Sequence, residues 1–225
     1  MYITACFQSD PPPLATDLDH PAWRQAAVYP IDRSWRGDPA PPGLGTAARV
    51  LWTASHLWFA FDCRFTELDA DTEFDTSVKR HALWERDVCE AFVRSPNESG
   101  LDSYKEFEVA PTGQWCDAAI HRPRVKVDFT WRSGMETAAR VEPEDSRFRA
   151  VMRVPFGAFG IVPETGDRWH ANLFRICRWD GARQYLALAA TGTAVADFHV
   201  PERFVELVFA GAGTGINSGV VRLGE

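Results

Sequence analysis

Between Leu83 and Pro111 apolar and polar positions alternate in two runs, separated by a polar, glycine-containing stretch from Ser95 to Ser103. In the first run Cys89, Ala91 and Val93 fall on one side, and Val88, Glu90, Phe92 and Arg94 on the other. In the second, Phe107 and Val109 share a face opposite Tyr104, Glu106 and Glu108. Successive strand side chains point to opposite faces, so this period of two predicts two strands, each with one apolar face and one bearing carboxylates.

The same alternation recurs along the chain. Ala48 to Thr53 and Leu57 to Arg64 flank Ala54-Ser55-His56, a separation short enough for a hairpin. Gln114 to His121 follows the Pro111-Thr112-Gly113 turn, and Val125, Val127 and Phe129 alternate with polar residues. Met135 to Glu142 and Arg147 to Pro155 form another pair around Glu144-Asp145. Phe156 to Gly160 reads as a turn, and Trp169 to Trp179, Gln184 to Ala190 and Phe204 to Phe209 as further strands. Residues 1–46 are rich in Pro, Asp and Gly, with one helical turn near His20-Pro21-Ala22-Trp23, and are expected to wrap one end as loop. Many short strands and few helices predict a single all-β domain over residues 1–225, a two-sheet antiparallel β-sandwich.

Composition narrows the partners. The net charge of −7 and the absence of a basic block argue against nucleic acid and anionic membranes. No apolar run approaches the roughly 18 residues of a membrane span. The N-terminus MYITACFQSDPPPL has neither a basic nor an apolar signal region, so a cytoplasmic location is expected unless a leader has been removed. Five cysteines without CxxC spacing, three of them (Cys63, Cys89 and Cys177) inside apolar patterns, read as buried thiols. Nine tryptophans are more than a core of this size needs, which points to an aromatic contact surface.

The candidate chemistry is acidic and aromatic. Glu90, Glu106 and Glu108, with Trp84 at the entry, would make a polar floor beside an aromatic wall; the plain alternative is a solvated sheet face. The acidic run from Glu67 to Thr76 lacks the glycine and closing Glu of an EF-hand loop. Asp87 stands open to three roles: calcium ligand, turn residue or partner of Arg86. A glycosidase acting through a Glu pair on this face is the rival reading. Haem ligation by Met1, Met135 or Met152 has no supporting context.

In order along the chain come Asp19 with Trp23, LWFAFDC (Leu57–Cys63), and W-x2-D-x2-E-x-F (Trp84, Asp87, Glu90, Phe92). There follow Y-x-E-F-E-V-x-P-x-G (Tyr104–Gly113), G-D-x-W-x-x-N-x-x-R (Gly166–Arg175) and F-H-x-P-E-x-F-x-x-L-x-F (Phe198–Phe209). This series resembles the family 9 carbohydrate-binding modules over nearly the whole chain. The resemblance implies a jelly-roll sandwich that grips a sugar-chain end between two aromatic side chains, often with structural calcium and often attached to glycoside hydrolases. Trp84 then matches the first clamp aromatic, Glu90 a hydroxyl acceptor, and Asn172 and Arg175 a polar strand lining the same site. The strand where relatives often carry the second tryptophan reads QYLALAAT, and Tyr185 and Trp179 are the nearby aromatic substitutes. The expected function is non-catalytic binding of a mono- or oligosaccharide.

Overall fold

The computed structural model describes residues 1–73 and 75–212. Thirteen strands share one hydrogen-bonded sheet that doubles over on itself. One half contains β3 (Thr46–Trp52), β4 (His56–Arg64), β9 (Glu136–Glu142) and β10 (Arg147–Pro155), with β2 (Tyr29–Pro30) against β3. The other runs β8 (Lys126–Asp128), β7 (Trp115–Arg122), β6 (Tyr104–Val109), β5 (Val88–Arg94), β11 (Arg168–Trp179) and β13 (Val205–Ala210). β12 (Ala182–Ala187) pairs with the far end of β11.

The sandwich is the predicted one, with two differences. Residues 1–46 are not only loop: β1 (Tyr2–Phe7) lies between the halves, parallel to β13 from Tyr2↔Glu206 to Cys6↔Ala210 and parallel to β3 at Cys6↔Leu51 and Phe7↔Trp52. The sheet is therefore mixed rather than wholly antiparallel. The reason is legible in hindsight, because YITACF buries Ile3 and Ala5 completely in a period-two pattern.

Alternation sorts the side chains into layers. Val50, Phe59, Phe61, Phe148 and Met152 from one half meet Cys89, Ala91, Val93, Phe107, Val109 and Leu173 from the other in the main core. The outer face of the first half is covered by α1 (Pro21–Gln25). Pro21 opens this helix at a position that needs no N–H, and the His20 ring accepts from the backbone N–H of Ala22 at 3.3 Å. Its Trp23, completely buried, packs edge-on to Trp58 with ring centroids 6.5 Å apart. All five cysteines are buried and free, as the apolar patterns imply for Cys63, Cys89 and Cys177.

The second half buries its outer face as well, under chain from Leu83–Trp84, Phe129 and Phe198–Phe204. This cover turns an ordinarily solvated sheet face into a lined cavity. Removing a fully buried Trp from a packed core costs about 3–5 kcal/mol, so Trp23→Ala should lower unfolding free energy by that amount in urea titration. Ligand binding on the far sheet should be unchanged in the folded fraction.

Candidate functional site

The floor is set by register. Glu90 on β5 lies opposite Glu108 on β6 and Phe174 on β11, while Glu106 lies opposite Phe92 on β5 and Ala118 on β7. All three glutamates therefore project from the same outer face of two adjacent strands. They are 2%, 5% and 0% exposed for Glu90, Glu106 and Glu108. Above Glu90 and Glu106 opens a cavity of ≈ 410 Å³, rimmed by Trp84, Phe129, Tyr185, Asp197, Phe198 and His199.

The walls come from opposite ends of the strand order. Phe129, just past β8, stacks on Trp84 with centroids 5.6 Å apart and planes 29° from parallel, and His81 packs edge-on to both. This wall is anchored by a buried ion pair, Lys79 Nζ to Asp117 Oδ1 at 2.6 Å. Lys79 also donates to the carbonyls of Phe129 and Trp131, at 2.8 and 3.0 Å. The other Asp117 oxygen accepts from the Ser133 N–H and hydroxyl at 2.7 and 2.6 Å. With both charges fully engaged, the chain carrying Phe129 has little freedom to leave Trp84. On the other side Tyr185 of β12 packs edge-on to Trp35 and to Phe198, which itself stacks on Phe174 at 4.2 Å.

Charge in the cavity is unevenly compensated. Arg124 grips Asp197 with two hydrogen bonds of 2.7 and 3.0 Å, and despite its burial Asp197 is held below the usual carboxylate range by that guanidinium. His199 Nδ1 lies 2.7 Å from the Tyr104 hydroxyl, and burial keeps the imidazole below its ordinary pKa. Burial, reinforced by the neighbouring Glu106, drives the pKa values of Glu90 and Glu108 well above the carboxylate range. Glu90 and Glu108 therefore hold their protons to higher pH than solvated carboxyls do.

Four residues expected at the site do line the cavity: Trp84, Glu90, Glu106 and Tyr185. Glu108 sits behind them, fully buried against Glu106 and Cys116, and is not a lining residue. Asn172 is a clip rather than a ligand group: its Nδ2 donates to Ala189 O at 2.8 Å, and its Oδ1 accepts from the N–H groups of Leu173 and Ala189. Arg175 points the other way, into the main core. It donates to Leu44 O at 3.1 Å, Thr46 Oγ1 at 2.6 Å and Arg64 O at 2.7 Å, beside Cys63, Cys89 and Cys177. Trp179 likewise packs against the main core.

The parity of β11 explains these placements. Asn172, Phe174 and Ile176 share the cavity side, so an arginine at an odd separation from Asn172 must face inward. Arg124, Asp197, Phe198 and His199 carried no periodic signal, because they lie on turns and connections that reach the sheet only through the fold, whereas Phe129 continues the alternation of Val125 and Val127.

The calcium expectation for Asp87 meets an unsuitable donor set. Asp87 is 1% exposed with neither oxygen hydrogen-bonded, but the neighbouring Asp69 is already held by Arg86 at 2.6 Å and Arg178 at 2.9 Å. Among the described residues no group of three or more acidic, His or Cys side chains is placed to hold a metal ion. A dication there would meet two guanidinium groups and only one unengaged carboxylate, so the residues do not fit it.

Comparison of the fold places the chain among known sandwiches. Over 92% of this chain and 98% of the other, it superposes on a candidate carbohydrate-binding protein from Bacteroides uniformis with TM-score 0.72 and 17% identity. A family 9 carbohydrate-binding module from Caldicellulosiruptor kristjanssonii in complex with cellotriose matches across 100% of both chains, with TM-score 0.69 and 12% identity. The fold is that of a family 9 module. A structure of such a module from the same organism with glucose gives TM-score 0.67 at 13% identity, over 95% of this chain and 99% of that one. No protein-family model and no curated protein matches the sequence. The likeness to the family 9 modules is thus one of architecture, and the side chains must speak for the site.

Two predictions follow from these placements. Arg175→Met should destabilise the fold by about 1–3 kcal/mol for each buried carbonyl left without a donor, while leaving ligand affinity of the folded protein unchanged; chemical unfolding and titration read the two effects separately. Burial, against the pull of Arg175, pushes the Asp87 pKa up to about 7. The folded state then retains a proton that the unfolded chain releases near the ordinary carboxylate pKa of 3.8. Stability should accordingly fall as pH rises from about 4 to about 7, and this group should cost nothing further above that. Asp87→Asn should reduce that slope, measured by urea unfolding at several pH values.

Proposed function

We propose that this protein is a non-catalytic carbohydrate-binding module that takes the end of a saccharide into the cavity above Glu90 and Glu106. The observation that carries the reading is the pairing of two buried, cavity-lining carboxyls with aromatic walls at opposite ends of one sheet face. A pyranose offers C–H faces for flat rings and a rim of hydroxyls for polar groups. The architecture, shared with modules seen with cellotriose and glucose, supports this reading.

Magnitudes set the expected affinity. Covering about 100 Å² of sugar C–H surface is worth about 2.5 kcal/mol, short of the roughly 4.1 kcal/mol of a millimolar complex. Hydrogen bonds to the charged Arg124–Asp197 pair at the rim, about 1.5–3 kcal/mol each, and to the floor, about 0.5–1.5 kcal/mol each, must supply the remainder. The dissociation constant is therefore expected between about 1 mM and tens of micromolar. Tyr185 and Phe198 form the second wall, so the absence of a tryptophan from the QYLALAAT strand does not leave the cavity open on that side.

The glycosidase alternative is disfavoured by the same register. A hydrolase places its two carboxyls on either side of the scissile bond, whereas Glu90, Glu106 and Glu108 all rise from one face of two neighbouring strands. Tryptophan-fluorescence titration with mono- and oligosaccharides tests the proposal. Saturable binding is expected, weakened at least tenfold in Trp84→Ala. Absence of any sugar response at tens of millimolar would overturn it, and turnover of aryl glycosides lost in Glu106→Gln would establish the alternative.

A further inference from the structure

The cavity presents more acid than a neutral sugar requires. Glu90 is 2% exposed, faces the cavity and has no hydrogen-bond partner among the described residues, with burial and Glu106 alone perturbing it. Glu106 lies beside it and Glu108 behind it, the latter sharing a side-chain hydrogen bond with Glu106. Both bases that line the cavity, Arg124 and His199, are already engaged. Arg124 is held in two hydrogen bonds by Asp197, Lys79 by Asp117, and His199 is uncharged and engaged with Tyr104. Over these acids stand the rings of Trp84, Phe129, Tyr185 and Phe198. Uncompensated carboxyls within an aromatic enclosure are a receptor for a cation, which gains both ion pairing and attraction to the ring faces.

We propose that the saccharide this cavity selects carries a protonated amine, as a 2-amino-2-deoxyhexose does. The proposal rests on the carbohydrate reading and narrows it to a substrate class. An ammonium group has three N–H donors and no acceptor, which matches a floor built only of acceptors once its protons leave. Its charge replaces the missing counterion, so the desolvation that keeps the floor protonated is relieved when the ligand enters. Binding is then coupled to proton release: the amine favours the ionised floor, and affinity for it rises with pH while the amine remains charged. The groups facing Glu90 all agree with this sign. Glu108 on β6 lies behind it, its own pKa raised by burial and by Glu106. Burial holds the thiol of Cys116 on β7 up to about 12 and the phenol of Tyr104 higher still, so both stay neutral. Asp197 and Arg124 cancel, and His199 would gain opposing positive charge only towards acid.

The test is tryptophan-fluorescence titration of the full chain with glucose, glucosamine and N-acetylglucosamine, at pH 7 and pH 5. Glucosamine is expected to bind at least tenfold more tightly than the two neutral sugars at pH 7, with the margin shrinking at pH 5. Glu90→Gln, whose folding is checked by thermal melt, should abolish the margin between glucosamine and the neutral sugars. The wild-type comparison alone decides the matter should the variant fold poorly. Equal or tighter binding of glucose overturns the amine proposal and leaves the carbohydrate reading standing. No response to any of the three sugars overturns both.

Discussion

A strand cannot point neighbouring side chains the same way, and this rule organises every layer of the molecule. On β5 it sends Cys89, Ala91 and Val93 into the core between the two halves of the sheet and leaves Val88, Glu90 and Phe92 on the other side. On β11 it separates Leu173 and Arg175 from Phe174 and Ile176. Because the outer face is itself covered by connections, both sides of β5, β6 and β11 are dry. Carboxyls placed on that face are therefore buried by the same alternation that builds the core.

Burial changes what those carboxyls are. On a solvated sheet Glu90 and Glu108 would be ordinary charges of little consequence; here desolvation and mutual proximity hold their protons. The sandwich tolerates this because the two halves meet over a large, closely packed core that includes Phe59, Phe61, Phe107, Phe148 and Trp169. Rigid strands beneath and an anchored aromatic wall above keep the cavity from collapsing onto its acids. The Lys79–Asp117 pair contributes by tying the segment after β8 to β7, at the place where Phe129 must meet Trp84.

Much of this was legible in the chain. Most strand positions, the buried state of the cysteines, and the shared face of Glu90, Glu106 and Glu108 all follow from a period of two, which is local. Trp84 and Tyr185 were found by type and position. Arg175 was misplaced by a motif in which it stands three residues after Asn172, although parity already forbade the two from sharing a face. The first strand was hidden within a proline-rich segment, because its partners β13 and β3 are remote in sequence and pair with it in parallel.

The amino-acid sequence by itself determined the architecture and the identity of the acidic floor, since alternation and apolar content act between near neighbours. Only the tertiary structure decided that the floor is roofed, that Phe129, Asp197, Phe198 and His199 complete the cavity, and that Arg124 is already committed to Asp197. Apart from Phe129, which continues the alternation of Val125 and Val127, those residues lie on connections without periodicity, so their positions depend on where the strands beneath them finally pair. Whether a carboxyl is solvated or dry is likewise a property of everything that folds over it, and no local pattern contains that information.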